Sequence, residues 1–192
     1  MAQQDKLLFT EIPHLEGERI YLDRITDKDA SGLEELRNDE DVYRLLPTFL
    51  FEKQLDDIHQ VIREMYDGPI YKNEESLHLG IFLKATDEFA GIIELYGYRK
   101  EYKKISVGYR LCKRFWGQGI ASEAAKTLMK YLLEETHIQI ITASTMVENK
   151  ASAKVLTKCG FELVVDAVGE DWGCPSPTMA DKWILQRSVS TQ

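Results

Sequence analysis

Between Arg19 and Arg24 apolar and polar residues alternate, with Ile20 and Leu22 on one side. That period of two predicts a half-buried strand. Thr26 or Asp27 can cap a following helix that carries Ala30, Leu33 and Leu36 at helical spacing. Pro47 interrupts, and a second amphipathic helix runs from about Leu55 to Tyr66, closed by Asp67-Gly68-Pro69. Three strand-like segments come next: Leu77 to Leu83, Phe89 to Tyr98 and Lys104 to Leu111. Only short polar turns (Lys84 to Glu88, Arg99 to Lys103) separate them, which predicts an antiparallel meander. Beyond Gly117-Gln118-Gly119, a single apolar stripe of Ala121, Ala125, Leu128, Met129 and Leu132 marks a helix to about Glu134. Ile138 to Thr142 is a short β-branched strand, and Asn149 caps a helix that ends at Gly160, a suitable C′ residue. Phe161 to Val168 and Met179 to Gln186 complete the order as strands joined by a Gly/Pro-rich loop. The expected class is α+β with one βαβ element, not a regular doubly wound repeat.

Composition narrows the picture. No repeat or linker divides the 192 residues, and at roughly 100–200 residues per domain one domain is expected. We place it at residues 15–187, with an N-terminal extension at 1–14 and a tail at 188–192. Twenty-four basic against 32 acidic residues leave a net charge of −8, which argues against sequence-independent nucleic-acid binding. An acidic surface is compatible with an amine substrate, and it serves solubility equally. No apolar run approaches the roughly 18 residues of a membrane span, and no secretory signal is visible at the amino terminus. Three scattered cysteines, Cys112, Cys159 and Cys174, suit neither a disulfide framework nor a metal site. The expected address is cytoplasmic, with no nucleic acid, membrane or metal as partner, and a monomer or homodimer as the state.

The most informative segment runs from Val107 to Ala121, where a strand ends, a loop with two glycines follows and a helix starts. Glycines let the backbone approach a ligand, and the free N–H groups of a helix start favour phosphate. Lys113 and Arg114 add positive charge nearby. A phosphate-binding NTPase loop would need G-x-x-x-x-G-K-[ST], which does not occur. A dinucleotide fingerprint should follow its strand almost at once and be answered by an acid after the next strand. Here Phe115 and Trp116 intervene and Ile138 to Thr145 holds no acid. A helix with a glycine-rich entrance is the remaining plain reading of the loop by itself.

Arg114-Phe115-Trp116-Gly117-Gln118-Gly119 resembles the R/Q-x-x-G-x-G/A loop of the GNAT superfamily of acyl-CoA-dependent N-acyltransferases. Tyr-Arg-Leu before the loop, Trp-Gly-Gln-Gly-Ile-Ala-Ser-Glu-Ala through it, Glu148-Asn149-Lys150-Ala151-Ser152 and Lys158-Cys159-Gly160-Phe161 are similar to its ribosomal-protein N-acetyltransferase (RimJ/RimL-like) branch. So is Leu15 to Asp23, and the similarity covers about Leu15 to Leu185. Lys113 stands where that branch often has proline. The resemblance implies the GNAT fold, a twisted, mostly antiparallel sheet of about seven strands flanked by about four helices. It also implies acetyl transfer from acetyl-CoA to a primary amine by direct attack. A protein N-terminal amine is the expected acceptor, with a polyamine, an amino sugar or a CoA-binding module without turnover as alternatives.

Under that resemblance the pyrophosphate cradle is the backbone of Phe115, Trp116, Gly117, Gln118, Gly119, Ile120 and Ala121, with Arg114 as a charge partner. The strand ending at Tyr109 and Leu111 splays from its neighbour, binds pantetheine and supplies an N–H to the developing oxyanion. Asn149 binds the cofactor arm, or is a plain helix cap, or both. Other branches place a tyrosine acid where this chain has Leu156, so Ser152, near the CoA sulfur in this branch, is the candidate proton donor. Its alternative is a structural serine. Glu94, a carboxylate in the apolar run Ile92 to Tyr96, is the candidate base if desolvation raises its pKa, and a solvated strand position otherwise. Glu170 and Asp171 are alternative contacts for an incoming amine. His78 and His137 read as packing and capping residues, Trp116 as a residue shaping the loop, and Glu123 as a complement to the helix dipole. Asn38 to Phe51 and Asp166 to Thr178 are the expected acceptor-side walls. Cys112 beside Lys113 and Arg114 is a weak candidate for a lowered thiol pKa.

Overall fold

A computed structural model describes residues 10–187, so the expectations placed on residues 1–9 and 188–192 lie outside the described residues. The alternation around Ile20 becomes strand β2 (Ile20–Asp23), with Ile20 and Leu22 fully buried. The two-residue β1 (Leu15–Glu16) pairs with it. The three central segments form the expected meander: β3 (Ser76–Leu83), β4 (Glu88–Arg99) and β5 (Lys104–Leu111). β6 (Ile140–Met146), β7 (Glu162–Glu170) and β8 (Thr178–Gln186) complete one eight-stranded sheet in the order β1-β2-β3-β4-β5-β6-β8-β7. It is antiparallel throughout except between β5 and β6. The strand beyond the expected seven is the short β1.

Among the described residues six α-helices accompany the sheet: α1 (Ala30–Asn38), α2 (Glu40–Tyr43), α3 (Ile58–Asp67), α4 (Pro69–Lys72), α5 (Ile120–Glu135) and α6 (Lys150–Lys158). The sequence stripes become buried faces: Leu33 and Leu36 on α1, Ala125, Leu128, Met129 and Leu132 on α5. Three boundaries differ from expectation. α3 starts at Ile58 because the Asp57 carboxylate caps it, accepting from the His59 N–H at 2.9 Å. Pro69 does not end helical structure. It opens α4 as the first residue, where its missing N–H costs nothing. β6 begins at Ile140 rather than Ile138 and runs on to Met146, because β8 pairs with it along its whole length. The Thr136 hydroxyl, holding both the Leu132 carbonyl and the Ile138 N–H, keeps the connection from α5 turned until then.

Two consequences of the sheet place the site. First, β5 and β6 pair only from Lys104 to Ser106 against Ile140 to Thr142, and the Ser106 and Thr142 hydroxyls meet at 2.9 Å. Beyond that point β5 stays with β4 up to Leu111 and β6 stays with β8 up to Met146, so the sheet splits open between them. Each half follows its own antiparallel partner, and the twist between strands widens the gap. Secondly, the period of two sends neighbours to opposite faces. His78, Glu94 and Gly108 stand opposite one another on one face, and Leu77, Leu95 and Val107 on the other.

Candidate active site

The glycine loop is built from backbone. After β5 the chain makes one turn at Lys113–Phe115, and Gly117 and Gly119 then adopt φ of +74° and +81°. Side chains rarely tolerate these values, which explains the two glycines. Gly119 is the N-cap of α5, and a Cβ on Gly117 would meet nothing within 4 Å. The N–H groups from Gly117 to Ser122 have no partner among the described residues, and Gly117, Gly119, Ile120, Ala121 and Ser122 line one concavity at the positive end of a 16-residue helix. These groups fit a pyrophosphate. The loop is fixed from behind by Arg19, whose Nη1 donates to the Gln118 carbonyl at 3.1 Å. Glu123 in turn accepts from the Arg19 backbone at 2.6 Å and from its Nε at 2.8 Å. Glu123 therefore ties β2 to α5, a task beyond the dipole role read from sequence.

The cations beside the loop are spoken for. Arg114 pairs with Glu35 and with Glu88 (3.0 Å), its guanidinium stacks over Phe115, and it lies outside the groove lining. Lys113 pairs with Asp41. Gln118 also turns away, its amide donating to the Arg114 carbonyl at 2.8 Å. Phe115 is buried under the loop. Half-exposed Trp116 donates from its indole to the Leu111 carbonyl at 2.9 Å, so that end of β5 is already engaged. With both neighbouring cations neutralised, burial prevails at Cys112 and pushes its thiol up to about 11, against the lowering anticipated from sequence.

From this cradle one groove of about 1390 Å³ runs through the split in the sheet and out towards β3 and β4. Ile120 and Ala121 line its start, Tyr109, Asn149 and Ser152 its middle, and His78, Glu94 and Tyr96 its far wall. In the middle, the Asn149 side-chain oxygen accepts from the Ser152 N–H at 3.0 Å, which makes it the cap of α6. Ser152 in the first turn is met across the gap by Tyr109, whose hydroxyl lies 2.8 Å from Ser152 Oγ and 3.2 Å from its carbonyl oxygen. Burial raises the Tyr109 phenol above its ordinary value, so it stays protonated. The sequence named both residues, but nothing in it showed that their hydroxyls meet.

On the opposite face sits a buried charge network. Arg110, next to Tyr109 in β5, donates to Glu52 at 2.6 Å and stands 3.3 Å from Glu94. Glu52 is fully buried and also accepts from the Tyr43 hydroxyl at 2.5 Å. His78, directly across from Glu94, places Nε2 3.2 Å from the same carboxylate oxygen. The expectation for Glu94 therefore reverses. Burial does work to raise its pKa, but Arg110 and His78 outweigh it and hold the carboxyl at about 2. Glu94 is a permanent anion. His78 is a member of this network, not a packing residue, and His137 bonds the Tyr98 hydroxyl at 2.6 Å. A charged residue or a histidine inside each of three apolar strands was the available signal for the network; pairing them needed the register.

The two segments expected to flank the acceptor meet across the groove. The Thr48 N–H donates to the Trp172 carbonyl at 2.9 Å, joining the segment after α2 to the β7–β8 loop. Glu170 pairs with Lys182 and accepts from the Trp172 indole at 3.1 Å, and the Asp171 carboxylate caps the Gly173 N–H at 2.9 Å. Both carboxylates line the groove, yet each already has a partner.

Comparison with known proteins gives a consistent answer. The family described as "Acetyltransferase (GNAT) domain" matches residues 19–162. An uncharacterized N-acetyltransferase of Bacillus subtilis, YoaA, is 26% identical over 151 residues, covering 78% of this chain and 83% of that protein. The [ribosomal protein uS5]-alanine N-acetyltransferase of Escherichia coli is 27% identical over 93 residues, 48% of each chain. The solved structure of a spermidine N-acetyltransferase from Vibrio cholerae in complex with CoA and spermine shares the fold. It superposes with a TM-score of 0.72 at 15% identity, over 88% of this chain and 96% of that one.

Proposed function

This chain belongs to the GNAT acetyltransferase family and is an acetyl-CoA-dependent N-acetyltransferase, and on that premise we propose that its acceptor is a protein N-terminal amine. The observation that carries this reading is the fixed charge of Glu94. A carboxyl held at about 2 cannot serve as a proton sink near neutral pH. An α-amine, with a pKa of about 8, is already partly neutral there, whereas an alkyl amine near 10.4 is almost wholly protonated. A site with no strong base suits the first kind. Glu94 accepts a hydrogen bond from the attacking nitrogen and aims its lone pair, and the surplus proton leaves through the open groove to water. The E. coli relative named for an alanine of a ribosomal protein supports the same class.

The remaining roles follow the geometry. The N–H groups of Gly117, Gly119, Ile120 and Ala121 hold the pyrophosphate, over a floor of Phe115 and a flank of Trp116. The edge of β5 around Tyr109, with the Leu111 N–H, runs along the pantetheine. Arg114 and Gln118 brace the loop instead of touching the phosphates. Asn149 caps α6 through Oδ1 and offers its amide N–H to the cofactor arm, and Ser152 faces the sulfur and hydrogen-bonds the leaving thiolate.

The test is thiol release with acetyl-CoA over a panel of acceptors at one pH. Peptides with a free amino terminus should exceed spermidine, glucosamine and an amino-terminally blocked lysine peptide at least tenfold in kcat/KM. A higher kcat/KM for spermidine or the amino sugar would overturn the assignment.

A further inference from the structure

Ser152 has a weakness as a proton donor. An isolated serine hydroxyl is a poor acid, and giving up its proton would leave an alkoxide. The position on α6 where other branches carry an acid tyrosine is here Leu156, 1% exposed and part of the core. The phenol that α6 lacks arrives from the facing strand. Tyr109 lies on β5 past the last β5–β6 pair, where the sheet has opened enough for an aromatic side chain to cross. Its hydroxyl meets Ser152 Oγ at 2.8 Å and the Ser152 carbonyl at 3.2 Å, beside the groove that both residues line. The phenol can donate to either oxygen of Ser152, and in the Oγ contact either hydroxyl can be the donor. With the phenol donating to serine, the serine proton is left free for the groove.

We propose that Tyr109 is the proton source behind Ser152, so that the leaving thiolate is protonated by a two-hydroxyl relay from β5 through α6. The proposal rests on the reading of Ser152 given above and does not depend on the acceptor. As the C–S bond breaks and its electron pair stays on sulfur, the Ser152 Oγ–H proton passes to sulfur. The Tyr109 phenol proton passes to Ser152 Oγ in the same event, and the phenolate regains a proton from water in the groove. Serine never carries the charge. Burial keeps the resting phenol protonated before each turnover and disfavours the phenolate, so that the phenolate is at once reprotonated. Tyr109 does not touch the reacting atoms, so it is a positioning and proton-supplying residue.

The test begins with CoA alone, titrated on the purified protein by the ultraviolet absorbance of its thiolate, and so needs no acceptor. Free, such a thiol ionises near about 8.5. In the wild type the relay donates to the thiolate and lowers that value. Ser152→Ala, which removes the direct hydrogen bond to the charged sulfur, should raise it by about one pH unit, and Tyr109→Phe, which keeps the ring but removes the hydroxyl behind Ser152, by a measurable part of that. In turnover Tyr109→Phe should lower kcat about tenfold with KM for acetyl-CoA within twofold. Adding it to Ser152→Ala should cost nothing more. With 4-nitrophenyl acetate, whose leaving group needs no proton, Tyr109→Phe should match wild type. An unchanged thiol titration, or an equal loss with both acetyl donors, would overturn the relay. Failure of the peptide-acceptor reading would leave the titration result standing.

Discussion

The two ends of the groove are made of different materials. At the glycine loop the available groups are backbone N–H groups, held by two left-handed glycines and a helix start, and the nearby cations are neutralised by Asp41, Glu35 and Glu88. At the far wall the groups are polar side chains out of water, Glu52, Arg110, Glu94 and His78, each fixed by the others. A backbone cradle exists as soon as the local chain folds, and it tolerates changes in surrounding charge. A buried network exists only when four segments from distant parts of the sequence arrive together. Removing one member leaves the rest uncompensated. The difference teaches where each end should break.

The largest effect falls on the far wall. Arg110→Met would leave the Glu52 and Glu94 carboxylates facing each other in a buried site. We expect a loss of about 3–5 kcal/mol in urea unfolding, the cost of breaking one partner out of a buried ion pair. The double variant Arg110→Met with Glu52→Gln should recover part of it. A loss below about 1 kcal/mol for Arg110→Met would mean that the network is wet and cheap, and the contrast between the two ends would vanish. The same network sets the acid limb of stability. Glu94 has its folded-state pKa depressed from 4.5 to about 2. Its contribution is therefore fully present above about pH 4.5 and is lost as the pH falls from there towards about 2. Glu94→Gln should flatten that window in a pH series of unfolding midpoints. It should also lower kcat at least about tenfold, while acetyl-CoA affinity stays near wild type. Retention of the wild-type acid limb would show that Glu94 is not the group that titrates.

At the cradle the expected loss is of binding. Gly117→Val imposes a β-branched side chain on a φ of +74° and points it into the open concavity. We expect the Kd for acetyl-CoA to rise by about tenfold or more by calorimetry, with a stability cost of about 1–3 kcal/mol for the strained backbone. Unchanged affinity would move the phosphate site elsewhere. Ser152→Ala comes next in size and acts on turnover, with kcat down about tenfold and Kd within twofold. Normal turnover in Ser152→Ala would remove the sulfur-facing role from α6.

This division also decides what could be read from the chain. The backbone of the glycine loop and of the two helix starts was legible because its cause is local: Gly117 and Gly119 just before an apolar helical stripe, and Asn149 before another, carry their conformations with them. The meander was legible because its turns are short, and the split after Ser106 came from the resemblance to a known fold, not from any residue pattern. The far wall was not legible. Glu94 alone suggested a carboxyl raised by burial, and the sign reversed because Arg110, two places along the facing strand, and Glu52, from the segment after α2, were invisible at that stage. Arg114 shows the converse error. Adjacent in sequence to the loop, it looked like a phosphate ligand, and the carboxylates of Glu35 and Glu88 that claim it lie on α1 and β4. Proximity along the chain predicts backbone geometry well and charge partners poorly.

The smallest expected effect sharpens the comparison most, because Asn149 belongs to both kinds of construction. Its Oδ1 is a backbone cap, accepting from Ser152 N–H, and the residue lines the groove at the same helix start. Asn149→Asp separates the two. Aspartate caps as well as asparagine, so stability should stay within about 0.5 kcal/mol. The amide donor is lost, however, and a single neutral hydrogen bond of about 0.5–1.5 kcal/mol corresponds to a rise in Kd for acetyl-CoA of roughly two- to tenfold. Asn149→Ala should reproduce that affinity change and add about 1 kcal/mol of lost stability from the missing cap. Unchanged affinity in both variants, with the stability loss confined to alanine, would make Asn149 a cap alone. The cofactor arm would then be held by backbone throughout, and the contrast with the far wall would be complete.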